Sequence, residues 1–170
     1  MDTFFKSSVE FAKKTLITQG CFHTMIIGEV DSTQKIAFIG AFENENEKQS
    51  FLNLVSLAFQ SKQVKRYIAI SEAWIKNIGT KSLETLNHET DEDKIECLIA
   101  IEVLSGNSFG AGLLFEIKRS VGMIIDLEEK TIYDRIEGRF TQLLLNKELI
   151  PSFPLTLVND FIKTNGIILH

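Results

Sequence analysis

The stretch IECLIAIEVLSGNSFGAGLLFEIKR, Ile95 to Arg119, holds two alternating runs joined by a glycine-rich turn. Successive side chains of a strand leave opposite faces, so Ile95, Cys97, Ile99, Ile101 and Val103 make one wholly apolar face. Glu96, Leu98, Ala100 and Glu102 make the other, which is mixed. On the return, Leu113, Phe115 and Ile117 point inward against Leu114, Glu116 and Lys118. A turn this short joins antiparallel neighbours, because a parallel pair needs a crossover of a dozen or more residues. One apolar and one mixed face is the pattern of an antiparallel sheet with a single covered side.

The flanking sequence extends this reading. TMIIGEV (24–30) and KIAFIGAF (35–42), separated by DSTQ, form a hairpin, and GMIIDLEE supplies a sixth strand after YIAISEAWIKN (67–77). Phe5, Val9, Ala12 and Leu16 line one helical face over residues 3–18, with Phe4 and Phe11 at its flank and Gly20 as the C-terminal cap. A second helix, about residues 47–61, carries Phe51, Leu54, Val55, Ala58 and Phe59 on one stripe. The pattern predicts two more helices, one over 135–146 through Ile136, Phe140, Leu143 and Leu144, and one from Pro154 to Gly166. Because strands follow one another through hairpins, the expected fold is α+β. Its sheet is mainly antiparallel, with five to six strands, and the helices pack on one face. The chain reads as a single domain, residues 1–170, with 151–170 as a C-terminal helical appendage.

Composition narrows the function classes. At 170 residues the chain can bury a core unaided. Its net charge of −5 argues against a general nucleic-acid or anionic-membrane surface. No apolar run approaches the roughly 20 residues of a membrane span. The opening MDTFFKSSVEFAKK lacks the apolar core of a signal peptide, and Cys21 and Cys97 have no CxxC spacing, so a reduced, cytoplasmic chain is expected.

YIAISEAWIKN places the only tryptophan and a glutamate at a strand end. By alternation Glu72 and Trp74 share the side of Ile68 and Ile70. A carboxylate there would be desolvated, with a raised pKa, and so a candidate general acid or base in a Trp74-lined pocket. If the strand stops at Ser71, Glu72 instead bonds backbone amides and Trp74 seals an edge. This strand, following a lysine-containing helix and preceding a charged loop and IECLIAIEV, resembles small proteins of bacteria, their phages and plasmids whose strand ends in Ser-Glu-Ala-Trp. The resemblance spans residues 20 to 120 and departs in the loop after Trp74, where those proteins carry prolines. It implies an α+β fold and no activity.

FEIKR offers a second candidate. Glu116 and Lys118 share a face, and with Glu102 or Glu96 as the upstream carboxylate they resemble, at these residues alone, the metal-holding set of restriction-endonuclease-like nucleases. Against this, alternating charge is expected on the wet face of an antiparallel sheet. NHETDEDK (87–94) lacks the glycine that a calcium loop requires, GNSFGAG lacks the ending of a phosphate loop, and no Gly-x-Ser-x-Gly elbow is present. No metal or other cofactor is therefore called for. The expected function is an interaction or assembly module, a homo-oligomer or a partner of another protein, with Phe4 and Phe11 as spare surface aromatics.

Overall fold

The computed structural model describes residues 2–76, 94–136, 139–144 and 154–169. Helix α1 (Thr3–Gln19) leads into strands β1 (Thr24–Glu29) and β2 (Lys35–Gly40), then helix α2 (Glu45–Ser61) and strand β3 (Arg66–Lys76). Strands β4 (Lys94–Leu104), β5 (Gly110–Ser120) and β6 (Met123–Ile136) form a meander, and helix α3 (Leu155–Asn165) precedes strand β7 (Ile167–Leu169). The strands pair antiparallel in one sheet, in the order β6-β5-β4-β3-β1-β2-β7. The fold is α+β, with seven strands where five to six were expected.

The helices begin and end where local chemistry dictates. Asp2 caps α1 by accepting the Phe5 N–H at 3.0 Å, and Gly20, at φ 78°, closes it. Asn44 caps α2 with help from Glu47: Glu47 N–H donates to Asn44 Oδ1, Asn44 Nδ2 to Glu47 Oε1 and Glu43 N–H to Glu47 Oε2.

Helices lie on both faces of the sheet rather than one. Beneath α1, the buried Phe5, Val9, Ala12 and Leu16 meet Ile68, Ile70, Leu98, Ala100 and Phe115. On the opposite face, α2 presses Leu52, Val55, Ala58 and Phe59 onto Ile26, Phe38, Tyr67, Ala69 and Val103, and α3 adds Phe161, stacked on Phe38 at 5.2 Å. The mixed face of β4 is thus core. Leu98 and Ala100 are fully buried, and the glutamates that made the face look wet sit at its two ends.

The helix expected at 135–146 is not what the described part of that segment forms. β6 runs through Ile136, and a short 3-10 turn follows at Arg139–Thr141. Tertiary hydrogen bonds hold this piece: Tyr67 Oη donates to Phe140 O at 2.7 Å, Ser56 Oγ to Leu143 O at 2.5 Å and Thr141 Oγ1 to Ser108 O at 3.0 Å. They replace the i to i−4 ladder that the apolar periodicity suggested. Residues 151–153 lie outside the described residues, as does the acidic loop of NHETDEDK up to residue 93. From Pro154 onward the C-terminal segment is built in, since β7 hydrogen-bonds to β2 with Ile36 opposite Ile168.

Candidate functional site

β3 keeps its regularity through Lys76, so Glu72 and Trp74 do lie on the side of Ile68 and Ile70. This is the face under α1, at the helix's C-terminal end. Glu72 is partly buried, and its carboxylate accepts the backbone N–H of Phe22, in the link between α1 and β1. Burial pushes its pKa above the ordinary 4.5, the Phe22 N–H opposes that shift, and the neighbouring Glu96 adds to it. Trp74, across the ladder from Glu96, is 67% exposed.

The adjoining ion pair accounts for most of the charge here. Arg119 donates to both oxygens of Glu96, at 2.6 and 2.8 Å, and to the Gly20 carbonyl at 3.1 Å, so one guanidinium ties β4 and β5 to the end of α1. A matching arrangement holds the other end. Arg66 donates to Glu29 at 2.8 Å, Glu102 at 3.0 Å and the cap residue Asp2 at 2.6 Å. Helix α1 is therefore fastened at both termini by an arginine bound to sheet carboxylates, with apolar packing between. Glu96 and Glu102 belong to these fastenings.

Glu116 and Lys118 are side by side, and Lys118 donates to Glu116. They extend the pair into a lattice with β6: Lys130 binds Glu116 at 3.0 Å and Glu128 at 2.8 Å, and Lys118 reaches Glu128 at 3.7 Å. The two lysines hold the Glu116 carboxyl below the usual range. Glu116 pairs in register with Cys97, whereas Glu96 and Glu102 point to the α1 face. The structure thus unites Glu116 with Lys118 and keeps both upstream carboxylates on the far side of the sheet. Cys97 is buried, donates to the Ala73 carbonyl at 3.2 Å and has its thiol pushed up to about 11 by burial, which leaves it inert. Among the described residues no group of three or more His, Cys, Asp and Glu is placed to hold a metal ion.

The described surface has a further feature, an apolar cleft of about 500 Å³ between α1 and the β1-β2-β7 edge of the sheet. Phe4 and Phe11 form its helix wall, Ile39, Ile167 and Leu169 its outer sheet wall, and Lys35 one mouth. Phe11 is 57% exposed and Ile39 49%. Pockets of this volume, apolar with a few polar groups at the rim, are the usual form of a binding site. The helix wall was visible in the sequence as the two aromatics flanking the α1 stripe. The sheet wall was not, because it needs β7 beside β2, a pairing of residues about 130 apart. β7 is three residues long, too short for alternation to announce it. Among the described residues no helix is long and apolar enough to cross a membrane. No known protein family, curated protein or solved structure matches the chain, so its site rests on this geometry alone.

Proposed function

We propose that the protein works as an interaction module, associating with itself or holding a partner protein through the cleft between α1 and the β7 edge. The observation that carries this reading is the pair of walls. Phe11 from the helix and Ile39 and Ile167 from the sheet face solvent across a continuous apolar hollow instead of packing on each other. Apolar area left open in this way favours occupation, at about 25 cal/mol for each Å² removed from water.

Size-exclusion chromatography with light scattering over a concentration series tests the proposal. Wild-type protein is expected to shift to higher mass with concentration, and Phe11→Asp or Ile39→Asp to abolish the shift. Phe11 is mostly exposed and Ile39 about half, and circular dichroism of each variant checks that the fold is kept. A wild type that stays monomeric throughout, together with unchanged behaviour of both variants, would overturn the proposal. A metal-dependent nuclease draws no support from Glu96 or Glu102, which the Arg119 and Arg66 clusters use. Magnesium-dependent cleavage of nucleic acid that vanishes in Glu116→Ala would reinstate it.

A further inference from the structure

The outer wall of the cleft is attached differently from the rest of the molecule. Ile167 and Leu169 of β7 line it, and β7 follows directly on α3. The two elements meet at Gly166, whose N–H donates to the Ile162 carbonyl at 2.9 Å. A Cβ at Gly166 would stand 2.6 Å from that same oxygen and 3.2 Å from Ile36 Cδ1, so the strand leaves the helix this closely only because the joint is glycine. α3 and β7 therefore make one piece, and neither shifts without the other.

That piece is held lightly. Val158 is the buried residue of α3, with Phe161 and Ile162 half-buried beside it and Phe161 stacked on Phe38 as the main anchor. Leu155 and Leu157 face solvent. Pro154 supplies no side-chain cap, and the first turn of α3 carries no acid. β7 adds three ladder pairs with β2, and all three of its residues are exposed. Among the described residues no ion pair or side-chain hydrogen bond ties the piece to the body, since Asn165 bonds back to Phe161 within α3. α1, by contrast, is pinned at both ends by Arg66 and Arg119. Elements with few buried apolar contacts and no charges fixing them are the first to open in a native protein.

The sheet beneath does not depend on the piece. β2 pairs with β1 over all six of its residues, and β7 covers only Lys35–Ala37. Undocking thus spares the β1–β2 hairpin and removes the outer wall of the cleft, while Met25, Ile27 and the helix wall stay in place. We propose that α3 and β7 are a detachable wall, which leaves and rejoins the body as a unit, so that the cleft is complete only while the piece is docked. A partner held in the cleft then favours the docked state, and undocking releases it. This last step rests on the cleft being the contact surface; the undocking itself does not.

Hydrogen exchange of the full chain, read by NMR, tests the undocking. Amides of α3 and β7 are expected to exchange through one shared opening, at least about tenfold faster than those of β1 and β3. Gly166→Ala forces the joint apart without altering a residue that lines the cleft, and should speed α3 and β7 by about a further tenfold while β1 and β3 keep their rates. Should that variant not fold, Val158→Ala removes the buried anchor of α3 and carries the same expectation. Unrelated rates in α3 and β7, or rates as slow as those of β3, would overturn the inference. Light scattering tests the link to the cleft: where the wild type associates, the loosened variant should associate about tenfold more weakly. Unchanged association would sink that link, while Phe11→Asp and Ile39→Asp still judge the cleft reading separately. If the wild type is monomeric the cleft reading falls, and the exchange pattern alone upholds or sinks the detachable wall.

Discussion

Val121, in the β5–β6 turn, is the residue whose backbone and side chain disagree most with its surroundings, at φ 50° and 97% exposed. Val121→Asn should remove about 1 kcal/mol of left-handed strain without touching any contact, raising the unfolding temperature by roughly 2–4 °C in a protein of this size. A lowered temperature in calorimetry would mean that the side chain packs in the monomer after all. Glu72 poses the opposite case, a side chain whose neutral form the fold favours. Its pKa is raised in the folded state, so its contribution to stability is full below about 4.5 and is lost as pH rises through the higher folded value. Glu72→Gln, which can still accept the Phe22 N–H, should match wild type near pH 4 and be the more stable at pH 7 in thermal unfolding. Glu72→Ala leaves that N–H unpaired and should lose about 1–2 kcal/mol at both. A Gln variant weaker at pH 7 than at pH 4, relative to wild type, would show that the charge itself is wanted.

At the scale of elements, α1 is the part whose attachment explains the charged residues. Its apolar stripe seats it, and the Arg66 and Arg119 clusters fix its two ends to the sheet. Arg66→Met should cost about 2–4 kcal/mol by urea titration, because Glu29 and Glu102 are left facing each other without a counter-charge. The value falls at the lower end of the range for buried pairs because the cluster is partly wet. A change below about 0.5 kcal/mol would reduce the cluster to surface decoration. The stripe and the C-terminal glycine cap of α1 were legible in residues 3–20, since both depend on neighbours within a few positions. The clusters were not, as Arg66 and Arg119 each bind carboxylates brought in from other strands. β4 shows the same limit: Glu96 and Glu102 made a core face look solvated, and only their arginine partners explain two charges at the rim of buried Leu98 and Ala100.

For the whole molecule, the sheet carries helices on both faces and ends in β6 at one side and β7 at the other, and these two ends differ in chemistry. One carries the apolar cleft and the other the Val121–Gly122 hairpin. The alternation of Ile95–Val103 and Leu113–Lys118, the hairpin turns and the caps by themselves determined an antiparallel α+β fold, because period-two patterning and turn chemistry are local and each residue reports on its own conformation. Tertiary structure alone decided which face each helix covers, that β7 completes the cleft, and that Glu72 meets a backbone amide, a hydrogen bond spanning 50 residues. Such contacts depend on where distant segments of chain arrive, and no local pattern in the residues involved carries that information.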